Sequence, residues 1–160
     1  MIAAAFGLGF STVLFGHQQV AQAQVQENLS RRPAITSDED RVFVSTLIKS
    51  SLIALNQANQ TNNYSVLRSL GSPAFQSNNT SDDLMTVFAG VRNAKLDFSA
   101  VVEYEPIFVL EPVLDGFNNL SVQGYFLTNP KIEFELLYQL VNGEFRIDLL
   151  TIGIVPTSPE

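Results

Sequence analysis

The side chains in this sequence best suited to chemistry are carboxylates. Asp97 stands just ahead of the strand-rich half, Glu103 and Glu105 lie two residues apart, and Glu133 and Glu135 fall across from Asp148 in the last strand pair. Paired carboxylates perform glycoside chemistry when they flank a cleft at the right separation, and a single partly buried one can act as a base. Tyr138 adds a phenol, a donor that seeks a partner when buried. The only histidine is His17, and there is no cysteine among the 160 residues. Without the segment that holds His17, the chain has no Ser-His or Cys-His nucleophile, no imidazole base and almost no route to zinc. The residues therefore point to no metal site and no cofactor, and they define no catalytic set.

Charge narrows the partners. Sixteen acidic residues against nine basic ones give a formal net charge of −7, and the basic residues, from Arg31 to Arg146, are scattered. Nucleic acid requires a dense positive stripe to displace condensed counterions, so no nucleic-acid partner is expected.

The elements that would position these groups begin after an apolar start. Residues 1–23 carry no charged side chain, run apolar from Ile2 to Phe15, turn polar at His17-Gln18-Gln19 and reach Ala21-Gln22-Ala23. That pattern reads as a signal peptide cleaved after Ala23, without a Lys or Arg ahead of the apolar run. The run is short for a membrane span and contains Gly7 and Gly9, so no stable membrane insertion is expected after cleavage. An exported chain without cysteine cannot use disulfides, which suits a periplasmic or secreted location. Gln24 to Thr36 reads as a flexible leader, residues 37–156 as one domain, and residues 157–160 as a fraying tail.

Three helices are expected first. Ser37 is a cap, with Asp38, Glu39 and Asp40 suiting the positive helix end. Val44, Leu47, Ile48, Ser51, Leu52 and Leu55 then form one stripe through about Ala58. After the polar break Asn56–Asn63, a second helix covers Tyr64 to Leu70, with Asn63 as cap, Gly71 past its end and Pro73 preventing continuation. A third starts at Thr80 or Ser81, buries Leu84, Val87, Phe88 and Val91, and stops near Asn93.

Strands follow. Pro106–Leu114 reads as an edge or bulged strand because of its prolines. Leu120–Thr128 comes next, and Lys131–Val141 and Glu144–Val155 are joined by Asn142-Gly143, a type I′ signal. With Val141 opposite Glu144, the pairs Leu140/Phe145, Tyr138/Ile147, Leu136/Leu149, Phe134/Thr151 and Ile132/Gly153 share one apolar face. Leu137, Val141, Leu150 and Ile152 then sit on the otherwise polar outer face, as candidates for a homodimer contact.

Three helices, then long antiparallel strands closing in an Asn-Gly hairpin, with the break at Asn56-x-x-Asn59 and a short helix holding Tyr64 and Leu67, resemble the NTF2-like superfamily, the SnoaL and ketosteroid isomerase cone. The likeness spans roughly residues 37–155. It implies an α+β fold in which three N-terminal helices pack on a curved antiparallel β-sheet and close over a pocket, here lined by Phe88, Phe134, Tyr138, Phe145 and Ile147 with Asp97 at its mouth. Enzymes of that family bring a histidine or aspartate base into the pocket, so the resemblance would make Asp97 the base and Tyr138 the oxyanion donor of an isomerase or cyclase. The missing histidine points the other way, to an exported non-enzymatic module that binds a small apolar ligand or a protein partner.

Overall fold

The computed structural model describes Ile35 and residues 37–156; the expected signal peptide, the leader apart from Ile35, and the tail lie outside these residues. Helix α1 runs from Asp38 to Thr61, capped by the Ser37 hydroxyl, which accepts from the Asp40 N–H at 3.2 Å. Its expected stripe is the buried one: Val44, Ile48, Leu52 and Leu55 have no exposed surface, and Ser51 is buried among them. The helix ends at Asn62, in the left-handed region at φ 54°, one turn beyond the expected stop. Asn56 and Asn59, read as part of a polar break, are buried helix residues because each has a specific partner.

The remaining helices are more numerous than expected. Helix α2 covers Ser65–Ser69, α3 Pro73–Asn78, α4 Ser81–Val87 and α5 Ala89–Asn93, followed by a 3-10 turn at Ser99–Glu103. Pro73 starts a helix rather than only ending one. It takes the first helical position, where its missing N–H costs nothing, and Ser72 caps the turn by accepting from the Phe75 N–H at 3.0 Å. The expected third helix is two short ones broken at Phe88 (φ −91°, ψ 11°); Thr80 is its cap, in a reciprocal box with Asp83.

Four antiparallel strands in the order β1-β2-β3-β4 make the sheet: β1 Ile107–Leu114, β2 Asn119–Phe126, β3 Lys131–Val141 and β4 Glu144–Val155. Asn142 and Gly143 both have positive φ, as a type I′ turn requires. β1 is an edge strand with two register shifts, in keeping with its prolines. The inner face of the sheet and the buried side of α1 form one core, in which Leu120, Val122, Phe126, Ile132, Phe134, Leu136 and Tyr138 pack with Ile48, Leu52 and Leu55.

The hairpin register holds as far as Tyr138/Ile147 and then departs by one residue, because Asp148 is an extra residue in β4. The inner pairs beyond it are Leu136/Leu150, Phe134/Ile152 and Ile132/Ile154, in place of those expected with Leu149, Thr151 and Gly153. The cause is nonlocal. The α2–α3 link lies against the edge of β4, where the Ile147 N–H donates to the Leu70 carbonyl at 3.0 Å and the Ser72 N–H to the Ile147 carbonyl at 2.7 Å. The Ser72 hydroxyl donates to the Asp148 carboxylate, holding the bulged residue in place.

Candidate functional site

One flank of α1 is stitched to the segment that leads into the sheet. Residues 41, 45, 49 and 56 recur at helical spacing, so their side chains share a side. Arg41 pairs with Glu111, Ser45 donates to Glu105 at 2.8 Å, Lys49 pairs with Glu105 at 2.7 Å, and Asn56 donates to Asp97 at 2.8 Å. Lys49, then Ser45, holds the Glu105 carboxyl below its ordinary range. Glu103 and Glu105 therefore form no acid-base pair; Glu105 serves α1.

Asp97 is an exposed turn residue. Its carboxylate accepts from the Ser99 N–H at 2.9 Å and from Asn56, and these bonds, Ser99 first, lower its pKa. A general base requires the opposite shift. Tyr138 lies elsewhere along α1: its hydroxyl is 2.9 Å from Ser51 Oγ and 3.3 Å from the Leu47 carbonyl, and Ser51 donates to that same carbonyl at 3.0 Å. Ser51 and Asn56 are five residues apart, about 7.5 Å along the helix, so α1 holds the expected base and the expected donor at separate places. Burial pushes the Tyr138 phenol far above its ordinary range, with the Ser51 bond a smaller opposing effect. It is a neutral core phenol with its partners already in place.

The other expected pocket residues divide between two places. Phe88 is a core residue stacked on Tyr64, and Phe134 packs against Phe126 with ring centroids 5.4 Å apart. Tyr138, Phe145 and Ile147 do line a common space. It is a cleft of about 130 Å³ between α1 and the β3–β4 hairpin, completed by Leu47, Ser50, Ser51 and Leu70 with Glu144 and Arg146 at the rim. Glu144 and Arg146 pair with each other at 2.6 Å, and Arg146 also donates to the Ser69 carbonyl at 3.1 Å. Beside the cleft, Phe43 meets Phe145 at 5.9 Å while remaining half exposed, and Leu140 and Leu70 are each more than a third exposed.

The outer face also differs from expectation. Leu150 and Ile152, expected there as dimer contacts, belong to the inner face because of the bulge at Asp148; Leu150 is buried in the core and Ile152 packs against it. Leu137 and Val141, the other two candidates, are partly buried on β3. A shallow groove of about 300 Å³ crosses the outer face, lined by Val109, Gln123, Tyr125, Glu133, Glu135 and Thr151 among others. The Lys131 ammonium pairs with Glu133 at 2.7 Å and sits 5.0 Å from the Tyr125 ring centre. Among the described residues, no group of three or more His, Cys, Asp or Glu could hold a metal ion, and no helix is long and apolar enough to cross a membrane.

Sequence reasoning missed Leu47, Ser50, Leu70 and the Glu144–Arg146 pair at the cleft. It had signals for the heart of it: Ser51 as the one polar member of an apolar helical stripe, and Tyr138 as the one polar-tipped residue on an apolar sheet face. No protein-family profile, characterised protein or solved structure matches this chain.

Proposed function

We propose that this protein is an exported, non-enzymatic binding module of NTF2-like build, whose cleft between α1 and the β3–β4 hairpin takes an apolar group from a small ligand or a partner protein. The likeness is supported by the order of helices followed by a four-strand antiparallel meander. Export is supported by the apolar run and the Ala21-Gln22-Ala23 pattern.

One observation carries the binding reading. The cleft has Leu47, Leu70, Phe145 and Ile147 in its walls, a phenol whose hydrogen bonds are already made by Ser51 and Leu47, and an ion pair locked on itself at the rim. Apolar walls with a few fixed polar groups are the usual make-up of a ligand site. The acid-base pair that an isomerase needs is not brought together, because Asp97 is engaged by Ser99 and Asn56. A volume of about 130 Å³ is close to that of an apolar cavity that binds benzene, roughly 150 Å³. It suits one aromatic ring or one large aliphatic side chain.

The test is a titration of the protein with benzene, followed by methyl NMR. Shifts at Leu47, Leu70 and Ile147 that saturate, and that Ser50→Trp abolishes by filling the cleft, support the reading. Shifts spread over the surface without saturation, or saturation unaffected by Ser50→Trp, would refute it.

A further inference from the structure

The two edges of the sheet are built differently. β1 has Pro106 before it and Pro112 within it, two register shifts and Glu111, and its Pro112 carbonyl accepts from the Ile35 N–H at 2.9 Å. Prolines, bulges, charges and covering segments keep an edge from recruiting another strand. Beyond the bulge and the link Leu70–Ser72, β4 has no such protection among the described residues: residues 149–155, Leu-Leu-Thr-Ile-Gly-Ile-Val, contain neither charge nor proline.

Ile147 faces the core and turns its N–H and C=O to the open edge, where Leu70 and Ser72 take them. Side-chain face and hydrogen-bond direction alternate together along a strand, and the bulge moves the phase by one residue. Leu150, Ile152 and Ile154, which face the core beyond it, therefore turn their N–H and C=O groups to the same edge. None of these three has a backbone partner on that side among the described residues.

We propose that this edge pairs antiparallel with the same edge of a second copy, about a twofold axis at Ile152. Ile152 then faces its own counterpart, Leu150 faces the counterpart of Ile154, and Thr151 that of Gly153. The three residues from each copy exchange about six backbone hydrogen bonds. The length of the opening selects this occupant. On one side the free edge begins where the link Leu70–Ser72 ends its pairing with Ile147, and the strand stops at Pro156, which has no N–H. In the twofold register, Val155 of the second copy lies opposite Leu149 and its Pro156 opposite Asp148, so the incoming strand ends where the link begins. No charged residue lies in the paired stretch of either copy, so no like charges oppose across the axis. The outer-face groove, whose lining reaches Thr151 and Gly153, then adjoins the same groove of the second copy.

Sedimentation together with residue-resolved hydrogen exchange, at low and high micromolar concentration, tests this. The expected result is a concentration-dependent dimer in which the Leu150, Ile152 and Ile154 amides gain protection of tenfold or more as it forms. The Thr151 and Gly153 amides, bonded to β3, should stay protected throughout. Ile154→Pro removes an edge N–H that β3 does not use, and Thr151→Lys puts a charge beside the axis; both should give monomer while the β3–β4 ladder stays protected. A wild-type monomer at high micromolar concentration would overturn the proposal. So would a dimer that survives both substitutions, or one whose three edge amides exchange at the same rate at every concentration.

Discussion

Asn56→Ala tests most sharply whether Asn56 ties the Asp97-Phe98 turn to α1. Asn56 is buried; its amide donates to Asp97 at 2.8 Å and its carbonyl oxygen accepts from the Phe98 N–H at 3.1 Å. Phe98 is only 1% exposed, so alanine strands a buried N–H that water cannot reach, at a cost of about 1–3 kcal/mol. The lost bond to Asp97 adds little, since that carboxylate is exposed and water replaces the amide. The expected loss is therefore about 2 kcal/mol, read from urea unfolding as a lower midpoint at unchanged slope. The lowered Asp97 pKa fixes the sign of the pH effect: its contribution is fully present above the ordinary value of 3.8 and is lost as pH falls through the lowered folded value. Asn56→Ala should move the Asp97 titration back toward 3.8, as followed by carboxyl NMR. Asn56→Asp keeps an acceptor for Phe98 but sets two carboxylates together, so its deficit should shrink as pH drops through the carboxylate range. A loss from Asn56→Ala below about 0.5 kcal/mol, the usual spread for surface changes, or an Asp97 that titrates above its ordinary value, would refute the reasoning.

Other substitutions probe the core and the sheet. Tyr138→Phe should cost about 1 kcal/mol, because Ser51 keeps its bond to the Leu47 carbonyl and no donor is stranded; a denaturant-melt loss above about 3 kcal/mol would mean that the phenol does more than join α1 to β3. Gly124→Ala puts a methyl 2.9 Å from Phe134 Cζ and against the Ile107 carbonyl oxygen, so a loss of about 1–3 kcal/mol is expected in calorimetry. Gly90→Ala, with nothing within 4 Å and a helical position, should instead gain up to about 1 kcal/mol. Thr80→Ala breaks the reciprocal box with Asp83 and should cost about 1 kcal/mol of thermal stability.

Several local signals in the sequence were accurate, although Val87, expected in the buried stripe of the third helix, is exposed on α4. The stripe Val44–Leu55, the caps at Ser37 and Thr80, the Asn142-Gly143 turn and the span of the last two strands are all set within a few residues. Two features that depend on distant partners, the burial of Asn56 and the bulge at Asp148, were not legible, and one local feature, the start at Pro73, was misread. Asn56 and Asn59 look like a break until Phe98, Asp97 and Tyr64 supply their hydrogen bonds. Pro73 looks like a stop until Ser72 turns out to cap a new helix. The bulge at Asp148 exists because Leu70–Ser72 reach the edge of β4 from 75 or so residues earlier in the chain, a separation over which pattern has no purchase. That single residue moved Leu150 and Ile152 from the outer face to the core. In the same way Tyr138 and Ser51 were recognisable as polar groups on apolar surfaces, whereas the separation of Asp97 from Tyr138 follows from where Asn56 falls along α1.

The most direct test of the central claim is a crystal of the full chain exposed to xenon. The account predicts a bound atom in the cleft between α1 and the hairpin, within contact of Leu47, Leu70, Phe145 and Ile147, with Tyr138 still bonded to Ser51. Xenon found elsewhere with the cleft closed, or Tyr138 released from Ser51 and turned toward a carboxylate, would contradict it.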